Sequence, residues 1–101
     1  MAYEIKFEAL AAPTRRAVFE KLRAGPMAVN ALADGLPVSR PAISQHLKVL
    51  KDAGLVSERR DGVKRIYSLD TEGISELRDY FDRFWDDALE VYQRSLEASD
   101  T

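Results

Sequence analysis

Arg40, Ser44, Gln45, Lys48 and Lys51 recur at a spacing that gathers them on one side of a helix, and Arg59, Arg60, Lys64 and Arg65 crowd both sides of Asp61-Gly62. Guanidinium and carboxamide groups can bond in pairs to the edges of bases, while ammonium groups meet phosphates as point charges. The chemistry on offer is recognition of a polyanion whose edges carry information, which points at DNA. Within residues 39–65 seven cations (Arg40, Lys48, Lys51, Arg59, Arg60, Lys64, Arg65) stand against three anions (Asp52, Glu58, Asp61).

The elements that would position these groups can be read from the same stretch. At about 100° per residue, Ala42, Ile43, His46, Leu47, Val49, Leu50 and Ala53 fall on one arc, and Arg40, Pro41, Ser44, Gln45, Lys48, Lys51 and Asp52 on the other. Ser39 suits the N-cap, Pro41 loses no hydrogen bond in a first turn, and Gly54 suits a left-handed C′ position. A short preceding helix is expected near residues 29–34 around Leu32, weakly capped because Ala28 stands where Ser or Thr would serve. Residues 35–38 then make a tight connection. A solvated face is the ordinary explanation of cations on a helix. Two short helices joined by a turn, the second cationic outside, instead match a helix-turn-helix. Residues 55–60 and 63–69 flank Asp61-Gly62, a dipeptide suited to a type I′ hairpin turn, with Tyr67 and Leu69 on the inner face. Four cations around one turn repel one another unless an anion compensates them, which suits a wing on phosphates or in the minor groove.

Ala12-Pro-Thr-Arg-Arg16, Ser44-Gln-His-Leu-Lys-Val-Leu-Lys-Asp-Ala-Gly-Leu-Val56 and the wing from Arg59 to Tyr67 resemble the ArsR-type winged helix-turn-helix transcriptional repressors, and the resemblance runs over about residues 8–96. It implies a mainly α fold with a small β-hairpin wing (α+β) and a long C-terminal dimerisation helix. It further implies a homodimer that represses transcription from an inverted-repeat operator, and it puts Thr14, Arg15 and Arg16 close to the DNA backbone. The expected DNA-facing set is Ser39, Arg40, Pro41, Ser44, Gln45, Lys48 and Lys51 on the helix, with Arg59, Arg60, Lys64 and Arg65 on the wing. Metal sensing is not implied.

The second informative region is the tail. From residue 72 to about 98 there is no proline, and Ile74, Leu77, Phe81, Phe84, Trp85, Ala88, Leu89, Tyr92 and Leu96 recur at helical spacing. So small a chain has too little remaining surface to cover that face. Phe84, Trp85, Ala88, Leu89, Tyr92 and Leu96 are therefore expected against a partner helix, which the resemblance implies is the same helix of a second subunit, a dimer interface assisted by an N-terminal helix near residues 3–10, whereas Ile74, Leu77 and Phe81 can fold back on their own core. Between these regions residues 13–23 read as a helix with Val18, Phe19 and Leu22 inward, stopped by Gly25-Pro26. Charge is segregated too: residues 1–70 hold 12 Lys and Arg against 8 Asp and Glu, and residues 71–101 hold 3 against 9, which hides a cationic pole inside a net charge of −2.

Composition bounds the rest. At 101 residues and 46% hydrophobic content one domain over 1–101 is expected. No apolar run has spanning length and the start lacks a signal peptide's pattern, so a cytoplasmic, nucleoid-associated protein without membrane contact is expected. The chain has no cysteine and one histidine, His46, on the apolar arc, where it reads as a structural residue bonded to its neighbours; no metal site and no cofactor are expected. The acidic tail residues Asp79, Asp82, Asp86, Asp87 and Glu90 read as a solvated face. Around one inward histidine no catalytic set can be assembled and the glycines are scattered at turns, so enzymatic chemistry is excluded. The rival reading is a winged helix that serves as a protein-interaction module through its aromatic tail, and the uncompensated wing cations argue against it. An effector, whether a small molecule between the tail helices or a partner protein, is left open.

Overall fold

A computed structural model describes residues 2–99. The one-domain expectation also takes in Met1, Asp100 and Thr101, which lie outside the described residues. The elements in order are α1 (Ala2–Ala11), α2 (Pro13–Lys21), a 3-10 turn (Leu22–Ala24), β1 (Met27–Ala28), α3 (Val29–Ala33), α4 (Arg40–Asp52), β2 (Val56–Asp61), β3 (Lys64–Leu69) and α5 (Thr71–Ser99). This is the winged helix-turn-helix architecture, mainly helical, with the expected long last helix.

The chain breaks after α1 at Ala12, whose extended backbone leads into Pro13 at the start of α2. Arg15 donates from Nε to the Ala9 carbonyl and from Nη2 to that of Glu8 at 3.2 Å, and Arg16 Nη1 donates to the Leu10 carbonyl at 3.1 Å. Both guanidiniums thus cap the open carbonyl end of α1, where a cation also complements the helix dipole. The two guanidiniums that the resemblance puts near a DNA backbone thus also serve inside the chain. At only five residues, α3 lacks internal hydrogen bonds enough to persist alone and has no side-chain N-cap. Its carbonyl end is instead tied by Lys21 of α2, whose Nζ donates to Ala31 at 2.9 Å, Leu32 at 3.3 Å and Asp34.

Val18, Leu22, Leu32, Ile43, Leu47, Leu50, Leu55 and Val56 are fully enclosed and form the core with Ala9, Ala53, Tyr67 and Leu77. The apolar arc of α4 accounts for four of these twelve residues, so the recognition helix is itself a wall of the core. Two arc residues depart from expectation. Val49 is 40% exposed, at the margin of the polar face; His46 is only half-buried and its ring makes no hydrogen bond among the described residues.

The sheet has three strands in the order β1-β3-β2, all antiparallel. The sequence reading held only the hairpin, because Met27-Ala28 is too short to show a period of two. The turn also moves by one residue: Asp61 pairs with Lys64, so the loop is Gly62-Val63. Gly62 has φ +65° whereas Val63 does not have a positive φ, which fits a type II′ turn rather than the expected type I′.

How α5 is seated decides the direction of the tail. The end of α4 is a Schellman motif, with Leu55 N–H donating to Leu50 at 2.9 Å and Gly54 N–H to Lys51 at 3.0 Å. Asp70 N–H then donates to the Leu55 carbonyl at 2.9 Å, while Asp70 Oδ1 accepts from the amides of Glu72 and Gly73, each at 3.1 Å, capping α5. Gly73 presses so close to this corner that a Cβ on it would stand 1.7 Å from the Gly54 carbonyl oxygen. Lys6, 5% exposed, passes beside Gly54 and pairs with Glu76 Oε2 at 3.0 Å. Gly73→Ala is expected to destabilise the fold by about 2–3 kcal/mol through overpacking, opposite in sign to the gain of about 1 kcal/mol that alanine brings to an open helix. A urea midpoint equal to or above that of the parent chain would show that α5 does not rest on this carbonyl.

Candidate nucleic-acid interface

The outward face of α4 is built by its two ends. Ser39 Oγ accepts from the Ala42 amide at 3.3 Å, which fixes the first turn, and Gly54 fixes the last. Between them Arg40, Pro41, Ser44, Gln45, Lys48 and Lys51 are all exposed, as is Ser39 itself. The expected helix set therefore lies on one surface. Val49 joins it beside Gln45 and was missed by a strict division of the wheel; an exposed branched methyl pair there is suited to the methyl group of thymine.

On the wing, register sorts the four cations into two pairs. Arg60 lies directly opposite Arg65, while Arg59 faces Ile66 and Lys64 faces Asp61. Alternation puts Arg60 and Arg65 on the same side as Val56 and Tyr67, which are in the core, and Arg59 and Lys64 on the other. Like charges directly opposite one another destabilise a hairpin, and the Arg60-Arg65 juxtaposition is the compact form of the repulsion inferred from sequence.

Not all seven cations are free. Lys48 Nζ donates to Asp52 Oδ2 at 2.8 Å, and this hydrogen bond, followed by the carboxylate's charge, raises the ammonium pKa above its ordinary value. Lys51 Nζ is 3.5 Å and Arg65 Nε 3.7 Å from the two oxygens of Glu58, which links helix to wing. Arg40, Arg59, Arg60 and Lys64 have no ion pair among the described residues. Sequence position alone could not assign these partners, since Glu58 reaches Lys51 only because the strand folds back on the helix.

At the opposite end the aromatic stripe stands uncovered. Residues 81–99 are exposed throughout, including Ala88, with Phe84 at 59%, Trp85 at 61% and Tyr92 at 61%, and Leu89 and Leu96 beside them. Ile74 and Leu77 pack inward as expected, but Phe81 is more than half exposed and meets the rings of Phe7 and Tyr80 edge-on, with ring centres 5.6 and 5.7 Å away. Helix α1 lies along this root: the Tyr3 ring meets that of Tyr80 at a tilt of 43° with centres 5.1 Å apart, and Arg83 Nη2 donates to the Tyr3 hydroxyl at 2.8 Å. Tyr3, Tyr80, Arg83, Phe84 and Asp87 line a shallow cleft between the two helices. Among the described residues no three His, Cys, Asp or Glu side chains are grouped to share a metal ion, and no helix is long and apolar enough to cross a membrane.

A short reading helix behind a tight turn, an adjacent cationic wing and a long terminal helix define a winged helix-turn-helix DNA-binding protein. Residues 10–59 match the family model described as a helix-turn-helix domain. The chain is 53% identical over 92 residues to the HTH-type transcriptional regulator Rv2034 of Mycobacterium tuberculosis, covering 91% of this chain and 86% of that one. It is 40% identical over 65 residues to the transcriptional repressor SdpR of Bacillus subtilis, covering 64% of this chain and 72% of that one. Among solved structures it is similar to the homodimeric winged helix-turn-helix DNA-binding domain of Mb0332 from Mycobacterium bovis, a possible ArsR-family regulator, at 29% identity and a TM-score of 0.69, covering 88% and 82% of the two chains. The chain belongs to the ArsR-type family of winged helix-turn-helix transcriptional regulators, which are not enzymes.

Tyr67 joins wing to core. Burial, then the nearby Glu58 carboxylate, raises its hydroxyl pKa above the ordinary tyrosine value. The folded chain thus holds this proton more tightly than the unfolded chain, so the linked stability is fully present below about pH 10 and is lost as pH rises through the higher folded value. Tyr67→Phe is expected to flatten the fall of the urea midpoint above about pH 10; parallel falls in the two proteins would refute the assignment.

Proposed function

We propose that this chain is a homodimeric transcriptional repressor that pairs through α1 and α5, lays α4 of each subunit in successive major grooves of an inverted-repeat operator, and needs no metal to do so. The observation that carries the reading is the separation of two surfaces, a cationic face on α4 and the wing and an uncovered aromatic stripe on α5. The Cα radius of gyration is 18.2 Å and the long dimension 68 Å, against a radius of about 13 Å for a compact chain of 100 residues. So extended a helix with Phe84, Trp85, Ala88, Leu89, Tyr92 and Leu96 in water calls for a partner. A second copy supplies the same stripe by two-fold symmetry, and the Mb0332 domain to which this chain is similar is homodimeric.

In such a dimer the half-sites lie about one helical turn, roughly 34–36 Å, apart. Arg40, Ser44, Gln45 and Lys48 face the base edges, with Ser39 and Pro41 allowing close approach at the helix start and Lys51 at its end; Val49 adds an apolar contact. Arg59, Arg60, Lys64 and Arg65 meet the backbone or minor groove. Four cations without an internal partner support this division, since they lose least on meeting a phosphate. Thiolate coordination is foreclosed by a chain without cysteine, and a single histidine per subunit makes an imidazole site poor. Any effector would act through the α1 and α5 layer, where the Tyr3-Phe84 cleft lies.

Genomic fragments selected by the purified chain would give the operator. On it, Gln45→Ala is expected to relax preference at one defined position by about 1–3 kcal/mol, whereas Arg60→Ala weakens all sequences alike and lowers the salt slope by about one. Equal losses over every base variant in the Gln45 mutant would mean that this side chain does not read sequence. Trp85→Glu is expected to give monomers in sedimentation velocity and to abolish tight operator binding; a variant still dimeric at low micromolar concentration would reject the α5 interface.

A further inference from the structure

Glu58 occupies an unusual place for an anion. It sits on the inner side of β2 between Val56, in the core, and Arg60, with Tyr67 opposite it. One oxygen lies 3.5 Å from Lys51 Nζ in the last turn of α4 and the other 3.7 Å from Arg65 Nε on β3, so a single side chain, 19% exposed, spans reading helix and wing. Both separations exceed hydrogen-bond length, and both cations are about half exposed. Pairs of this kind add little to stability, so stability is a poor reason for the carboxylate's position. Its effect on the surface field is larger, because one carboxylate stands beside two of the seven cations of residues 39–65 and cancels one unit of their charge. Meanwhile Arg60, directly opposite Arg65, is left without an ion pair among the described residues.

Binding without regard to sequence is supplied by cations that displace counterions from phosphates, and each such contact adds about 0.9 to the salt slope. Base reading by Gln45 and its neighbours does not draw on that term. We propose that Glu58 is a charge brake on the DNA-reading face: it draws Lys51 and Arg65 toward one carboxylate, weakens their hold on phosphates, and keeps sequence-independent binding weak relative to sequence-directed binding. This rests on the DNA-binding reading above.

The test uses the full chain and a fluorescent duplex of mixed sequence, about 30 base pairs long, titrated at several KCl concentrations between about 50 and 200 mM. Glu58→Gln keeps the shape and removes the charge; it is expected to bind about five- to tenfold more tightly at the lowest salt, with a slope steeper by about one to two per subunit. Glu58→Asp, which retains the charge, stays closer to the parent chain in slope. A Glu58→Gln protein that binds equally or more weakly overturns the brake; if its melting temperature has also dropped, Glu58 serves only to support the wing. A parent chain that ignores the duplex at the lowest salt removes DNA binding and the brake with it, whereas a parent that binds beside an unchanged variant removes the brake alone.

Discussion

The close approach of Gly73 to the Gly54 carbonyl is the constraint on which the rest of this molecule depends. The last turn of the reading helix and the first turn of the tail helix meet there without a side chain between them. The Asp70 amide bonds to the Leu55 carbonyl immediately beside it, and Lys6 brings α1 to the same corner. Because backbone is packed on backbone, neither helix can rotate without breaking several hydrogen bonds at once. The surface that would pair two subunits is thereby held at a fixed angle to the surface that would read DNA. A two-fold reader requires this, since the distance between its two reading helices must match the pitch of the duplex.

From that corner the molecule divides electrostatically. Cations concentrate on α4 and the wing, and residues 71–101 carry 9 acidic against 3 basic side chains. The cationic face is nevertheless moderated from within: Asp52 takes Lys48, and Glu58 stands between Lys51 and Arg65. A count of charges overstates the field this face presents, and among the described residues the structure divides the seven cations into three in an ion pair and four without one. Arg15 and Arg16 make the same point from the other side. The resemblance puts them near DNA, and within the chain the carbonyl end of α1 needs donors, which these guanidiniums supply.

Much was legible in the sequence because it is written in local periodicity and in residues with special backbone roles. The polar and apolar arcs of α4, its Ser39 cap, its Gly54 stop, the weakly capped α3 and the unbroken tail helix all follow from 3.6-residue spacing and helix-end chemistry. The exposed positions of Arg40, Ser44, Gln45 and Lys48 follow as well, since a helix that buries one stripe must show the other. So does the aromatic stripe from Phe84 to Leu96, which no other part of the chain covers.

What the tertiary structure decided are the contacts between elements distant in sequence. Met27-Ala28 becomes a strand only because the exposed edge of β3 offers it a partner, and the hairpin turn falls on Gly62-Val63, where Gly62 takes the positive φ of the first turn position. Glu58 meets Lys51 across the angle between strand and helix, and Lys21 caps α3 from another helix. Periodicity reports which side of an element is buried, whereas the identity of a cross-element partner depends on packing angles that no local pattern encodes. The amino-acid order thus fixed the elements and their faces, and the fold decided which charges are held and which remain free.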